Sequence, residues 1–250
     1  MSDLRTLFPD TRYNLTLTQL NPLGILYVYK TDVNQQNNGG QCCLWVVPTG
    51  ATWAKFEVWG GGGPGGGACC CQHAQQGGGA GTYARKTIRV VPGQSYTICA
   101  AGSTCCYSQC QAPQGFNSYA CNPSATYPLC LCARGGSGGF TQCFVMANGC
   151  YNCLTCICGQ ACGHDFALCG PTGASHNTTC GFDSFDLTPE PTYIGGGLRI
   201  SQDHCRNTCG AFMSGLPSFP GGGGGSANSH DGSCQCSMNG AGGLVVITYK

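Results

Sequence analysis

The chain is predicted to be all-β: a glycine-rich, β-sandwich-like domain with packed polyglycine segments and cysteine-rich loops, preceded by a short β N-terminal region. Three observations carry this expectation. Short apolar or alternating runs such as Lys55-Phe-Glu-Val-Trp59 and Leu244-Val-Val-Ile-Thr-Tyr249 have the length and composition of strands. Blocks of glycine lie between such runs, at Gly60–Gly63, Gly65–Gly67, Gly77–Gly79, Gly195–Gly197 and Gly221–Gly225. No segment reads as a helix longer than about a turn.

The composition sets the physical problem. The chain has 42 Gly and 24 Cys in 250 residues, and only 8% of its residues are charged. Glycine loses the most backbone entropy on folding and brings no side chain to bury. Stability must come from cysteine cross-links, close packing of the glycine backbone, or assembly into an oligomer. All three point to a durable structural or adhesive protein and away from an enzyme. A net charge of +1 leaves no basic patch for nucleic acid. The longest apolar stretches fall far short of the roughly 20 residues a membrane span needs. Residues 1–9 carry an early acid and no apolar h-region, so a secretory signal is not expected.

That last point conflicts with the cysteine density, which normally marks an oxidising compartment. Three explanations stay open. The chain is a virion protein, made in a host cytoplasm and oxidised after release; or its cysteines hold metal; or it is exported without a cleavable signal. The first is preferred.

Taken in order, Tyr13–Leu20 and Leu23–Tyr29 alternate apolar and polar residues and read as two strands. Asn34–Gly40 is a polar turn, Cys42–Val47 a third strand, and Pro48-Thr-Gly50 its end. Residues 1–50 are set apart as an N-terminal attachment or oligomerisation region, because Ile25-Leu-Tyr-Val-Tyr29 is apolar on both sides in places and has little sequence to cover it. Residues 51–250 form the glycine- and cysteine-rich β domain. Within it, a strand ends at Trp59, and Thr82–Val91, Pro92-Gly93 and Gln94–Ala100 are expected to make a β-hairpin. Val90 and Ile98 should be buried there, and Arg85 and Arg89 solvated. Cysteine-rich loops fill 102–132, Phe140–Met146 is a strand, a second cysteine cluster spans 150–169, and 180–220 is irregular, with proline at 189, 191, 217 and 220. The final strand is 244–249.

This order of pieces resembles the glycine-rich domain of bacteriophage tail-fibre and other virion appendage proteins. The matching pieces are Val58-Trp59-Gly60-Gly61-Gly62-Gly63, Gly77-Gly78-Gly79-Ala80-Gly81-Thr82-Tyr83-Ala84, Val91-Pro92-Gly93-Gln94-Ser95-Tyr96-Thr97 and Asn239-Gly240-Ala241-Gly242-Gly243-Leu244-Val245-Val246-Ile247. The resemblance covers roughly residues 51–250, and the chain departs from it in its cysteines. It implies a structural virion protein, a tail-fibre or similar appendage subunit, located in the virion and attaching to a host cell-surface glycan or protein. It also implies receptor-reading loops between glycine segments, here 102–132 and 150–185, where Tyr107, Phe116, Tyr119 and Tyr127 are the candidate receptor contacts. Other virion proteins are the expected partners, and residues 1–50 are expected to join subunits, as a homo-oligomer, most simply a trimer.

The glycine runs themselves suit polyproline II rods, left-handed with three residues per turn, which pack side by side when they lack Cβ atoms. Flexible linkers are the alternative.

The cysteines have three readings. Adjacent pairs at Cys42-Cys43 and Cys105-Cys106 and the triplet Cys69-Cys70-Cys71 are poorly placed to bridge to themselves, so each is expected to reach a distant partner as a disulfide. The metal reading rests on Cys150, Cys153, Cys156, Cys158 and Cys162, whose spacing is near an iron–sulfur run but breaks its fourth interval, and which also contains C-x-x-C pairs suited to zinc, with His73 or His164 as added ligands. Buried thiols acting as small apolar groups are the third. Disulfides are preferred, and no cofactor is expected beyond the metal ion of that second reading. Gly61–Gly66 formally matches G-x-G-x-x-G, but no amphipathic helix pattern follows it. His164-Asp165 has no serine in a nucleophile-elbow context. A metal-binding or redox protein and a disulfide-hardened extracellular matrix or surface protein are the alternative functions.

Overall fold

The computed structural model describes residues 24–28, 40–66, 74–76, 78–105, 112–139, 141–142, 161–169, 175–177, 219–224, 237 and 239–250. Its strands are β1 (Gly24–Val28), β2 (Gln41–Val46), β3 (Trp53–Trp59), β4 (Ala74–Gln76), β5 (Tyr83–Arg89), β6 (Ser95–Ala100), β7 (Ser118–Asn122), β8 (Leu129–Ala133), β9 (Thr141–Gln142), β10 (Phe166–Leu168), β11 (Ser175–Asn177) and β12 (Leu244–Tyr249). A 5-stranded sheet in the order β1-β12-β3-β5-β10 faces a 4-stranded sheet in the order β2-β6-β7-β8, and β11-β4-β9 make a small 3-stranded sheet. Every strand pair is antiparallel. The fold is all-β among the described residues, which include no helix long and apolar enough to cross a membrane.

Strand alternation builds the core. Ala54, Phe56 and Val58 of β3 and Val245, Ile247 and Tyr249 of β12 point inward from the larger sheet. Trp45, Tyr96, Ile98, Leu129 and Leu131 point inward from the other. Trp45 sits among the aromatics, with ring centroids 5.6 Å from Phe56, 5.9 Å from Tyr96 and 5.7 Å from Tyr249. Such tilted and edge-on pairs add to the burial of the rings.

Several expectations change. The strands around Pro92-Gly93 are as predicted, Val90 and Ile98 are buried, and Arg85 and Arg89 are exposed. The turn forms too: the Gln94 N–H donates to the Val91 carbonyl at 3.1 Å, and Gly93 takes φ 82°. Yet β5 and β6 do not pair as a hairpin. β5 lies between β3 and β10, and β6 lies between β2 and β7. The turn is a corner that carries the chain from one layer to the other, because both arms bury their inner residues against the opposite sheet rather than against each other.

Strands from before and after residue 50 share both sheets of the sandwich. β1 pairs with β12, β2 pairs with β6, and Val28 and Trp45 belong to the main core. Residues 118–122 and 129–133, expected as loops, are paired strands. In the segment expected as a strand at 140–146, Thr141 and Gln142 are in β9 and the rest lies outside the described residues, as does Tyr13–Leu20.

At one end of the sandwich the strands run on into glycine segments. Residues 60–66 leave β3, 101–105 leave β6 and 134–139 leave β8, while 78–82 enter β5, 112–117 enter β7 and 239–243 enter β12. Residues 219–224 join them without a strand of their own. The hydrogen bonds repeat every third residue. The N–H groups of Gly60 and Gly63 donate to the carbonyls of Thr82 and Gly79, both at 2.9 Å. Those of Gly61 and Gly62 turn to Phe116 (2.9 Å) and Ala241 (2.8 Å). In return, Gly136 and Gly139 donate to Gly61 and Pro64, both at 2.8 Å, and Gly224 to Gly63 at 2.9 Å. A period of three is that of polyproline II, and these bonds run between rods, not within them. Residues 60–64 form the central rod. Pro64 is fully buried there without a donor, and its carbonyl still accepts. The glycine runs are therefore packed segments, not linkers.

Glycine is required here by close approach. A Cβ on Gly62 would land on the carbonyl of Gly222, and one on Gly136 on that of Gly79. By contrast, a Cβ on Gly93 meets nothing within 4 Å, and only its positive φ resists substitution. Gly62→Ala should therefore cost about 3 kcal/mol or prevent folding, and Gly93→Ala about 1 kcal/mol. Urea denaturation of the two variants tests this, and equal losses would contradict the rod packing. In the core, Phe56→Ala should cost about 3–5 kcal/mol by the same measurement.

Candidate functional site

Two regions carry chemistry: the outer face of the 4-stranded sheet and the end of the rods remote from the sandwich. On the first, alternation sorts cysteines by face. β2 turns Cys43 and Trp45 inward and Cys42 and Leu44 outward. Adjacent cysteines on a strand therefore cannot share a role. Cys42 is bridged to Cys99, its register partner on β6, with Cα atoms 4.1 Å apart. Closing a loop across a sequence separation of 57 is worth up to about 4 kcal/mol in the chain-entropy account. Cys43 keeps its thiol against the core, and burial pushes its pKa up. The expected distant partner holds for Cys42 and fails for Cys43.

The same face continues across β7 and β8. Cys121 is opposite Cys130, Tyr119 is opposite Cys132, and Cys132 in turn faces Cys162 in an antiparallel bridge. The Cys132 and Cys162 backbones exchange both hydrogen bonds, at 3.1 and 3.0 Å. Burial, followed by the neighbouring Cys162 thiol as charge and hydrogen-bond partner, pushes the Cys132 pKa to about 11, with Arg134 acting in the opposite sense. Burial, then the hydrogen-bonded Cys130 thiol and the charges of Cys130 and Cys162, raise Cys121.

Of the cysteines expected to hold metal, Cys162 stands against β8, while Cys150, Cys153, Cys156 and Cys158 lie outside the described residues. His164 is exposed, and its neighbour Asp165 accepts the Thr87 N–H at 3.1 Å, a loop contact with no nucleophile in it.

The described aromatic receptor candidates Phe116, Tyr119 and Tyr127 lie at different levels of the sandwich. Phe116 sits where the rod meets β7, and its carbonyl serves Gly61. Tyr119 is on the outer face of β7, 37% exposed. Tyr127 lies in the β7–β8 connection, at the opposite pole from the rods, and its carbonyl accepts the Tyr96 hydroxyl at 3.3 Å. Tyr107 lies outside the described residues. Two other exposed aromatics are covered by cations: Arg85 stands 4.7 Å from the Phe166 ring and Arg89 5.3 Å from that of Trp53.

The rod end carries the small sheet. β4 lies between Gly66 and Gly78, the ends of two rods farthest from β3 and β5. It pairs Ala74, Gln75 and Gln76 with Asn177, His176 and Ser175, and Gln75 and Ala74 with Thr141 and Gln142. Apart from Ala74 these residues are polar, and none is Asp, Glu, Lys or Arg. Sequence reading missed both this sheet and the β7–β8 pair. For β8 a signal existed: Leu129-Cys-Leu-Cys-Ala133 alternates with the period of a strand.

With the geometry in place, comparison with known proteins gives one family. The family described as "Glycine-rich domain" matches residues 36–250, and the chain belongs to it. The matched span includes β2 and every later strand. No curated protein matches the chain.

The raised Cys132 value has a testable consequence in the reduced protein. A thiol whose folded pKa lies above its ordinary 9.0 holds its proton more tightly when folded. Its stabilising contribution is full below about pH 9 and is lost as pH rises through about 11. At pH 8.5, iodoacetamide should modify Cys132 in the folded, reduced chain about tenfold or more slowly than in urea. Equal rates by mass spectrometry would contradict the environment described.

Proposed function

We propose that this protein is a structural subunit of a virion appendage, a bacteriophage tail fibre or a similar device, that attaches the particle to a host surface. The observation that carries the reading is the polarity of the molecule. A side-chain core at one pole continues, strand by strand, into backbone-bonded rods, and the chain reverses direction at the far end of those rods. Such a bundle is a stiff support that spends almost no side chains on itself. The connections at its far end are then free to vary with what they contact.

The polar strands β4, β9 and β11 are the part of that pole best suited to a neutral surface group. A glycan, dense in hydroxyls and without charge, is the receptor class we favour over a protein. The opposite pole and the β1 edge are the assembly side. Among the described residues β1 ends its sheet, and Ile25 on it is 54% exposed. A sheet edge with an exposed apolar side chain favours pairing with another copy or another virion protein. A homo-oligomer, with a trimer as its simplest form, fits this reading, and so does the virion as location.

The test is localisation on the particle. Gold-labelled antibody against the chain should decorate the tail or its fibres in electron micrographs of purified virions that encode it. The isolated full-length protein should bind host cells and be competed off by glycans released from them. Absence of the chain from purified particles would end the appendage reading. Binding that resists released glycans but is lost on protease treatment of the cells would move the receptor to the protein class.

A further inference from the structure

The outer face of the 4-stranded sheet repeats one motif, two cysteines directly opposite each other on antiparallel chains. Cys42 and Cys99 are bridged. Cys121 and Cys130 are register partners on β7 and β8. Cys132 and Cys162 are bridge partners whose backbones exchange both hydrogen bonds. Directly opposed residues have Cα atoms about 4.5–5.5 Å apart, inside the range a disulfide spans. Among the described residues no group of three or more His, Cys, Asp and Glu is arranged to hold a metal ion, so the thiols are set out as pairs and not as a cage.

We infer that Cys121–Cys130 and Cys132–Cys162 close as disulfides in the mature protein, completing with Cys42–Cys99 a ladder of cross-strand bridges over one face of the sandwich. The Cys132–Cys162 bridge has the larger structural consequence. β8 is the edge of its sheet, and β10 is the edge of the facing one. Residues 162–168 run from one edge to the other, bonded to Cys132 at the start and to β5 at the end, with Ala161 and Ala167 against the core. A bridge at Cys162 fastens this lacing and locks the seam between the layers. The inference is independent of the proposed attachment role.

Each bridge forms by exchange with a small-molecule disulfide such as oxidised glutathione. One cysteine thiolate breaks the reagent's S–S bond and forms a mixed disulfide. The second cysteine displaces the remaining half, and both protons and both electrons leave on two molecules of reagent thiol.

The experiment is disulfide mapping of the full-length chain after exposure to oxidised glutathione. Pepsin at low pH suppresses exchange and cuts near Leu129 and Leu131, separating Cys130 from Cys132. Unreduced peptides joining Cys121 to Cys130 and Cys132 to Cys162, each lighter by two hydrogens than the thiol pair, are expected. Recovery of these cysteines as alkylated thiols, or joined to other partners, would overturn the inference. So would zinc bound to the chain in native mass spectrometry and released when these thiols are alkylated. In a second arm, Cys132→Ser/Cys162→Ser should lower the thermal midpoint of the oxidised protein by roughly 5–10 °C, and chelator should leave the unaltered protein unchanged. An unchanged midpoint in the double variant would overturn the seam-locking role. The mapping is read on the unaltered chain, so it decides the pairing whether or not the double variant folds.

Discussion

Backbone hydrogen bonds between chains that lack Cβ atoms are the interaction on which the rest of this molecule depends. Side-chain cores keep backbones about 10 Å apart between layers. The central rod at residues 60–64 instead touches its neighbours carbonyl to amide. The donors turned outward by the threefold rod reach three segments: 78–82 through Thr82 for Gly60 and Gly79 for Gly63, a second through Phe116 for Gly61, and a third through Ala241 for Gly62. Buried backbone groups carry a desolvation cost when unpaired, so a rod with no neighbours would be untenable out of water. The rods stabilise one another as a set, and the sandwich holds them in register.

Strand and rod are joined at the points where paired strands end together. Trp59 lies opposite both Tyr83 and Leu244, and Ser118 opposite Ala133, so rods leave or enter the sandwich at one level. Polar side chains close the junction. The Ser118 hydroxyl accepts the Ala101 N–H at 2.8 Å, and the Thr104 hydroxyl accepts that of Gly240 at 2.7 Å. The Asn117 side chain accepts the Gly135 N–H at 3.0 Å. Each stands in where a further rod would have supplied a carbonyl.

This division of labour explains the composition. The sandwich holds nearly all the large buried apolar side chains, and its aromatic cluster around Trp45 is that of an ordinary small β domain. The rods use glycine where a Cβ would land on a neighbouring rod's carbonyl, as at Gly62, Gly63 and Gly136. The cysteines of the described sheet face lie outside both, on the outward phase of β2, β6, β7 and β8, where the Cys42–Cys99 bridge ties two strands together. Cys43 is the exception, since it falls on the inward phase of its strand.

Local pattern alone determined half of the described strands. Alternation and β-branched runs marked β1, β2, β3, β5, β6 and β12, glycine blocks marked the rods, and Pro92-Gly93 marked its turn, because each depends on residues within reach of one another along the chain. Tertiary structure decided which strands pair. The chain on either side of Pro92-Gly93 has the same appearance whether it folds back as a hairpin or crosses between layers, and only the inner faces of both sheets, meeting over Trp45, select the crossing. It also decided that β1 and β2 belong to the sandwich, since they are completed by β12 and β6, distant in sequence. Cysteine pairing lay beyond the sequence for the same reason. A thiol's partner is set by strand register, and register is fixed by the packing of side chains on the opposite face of the sheet.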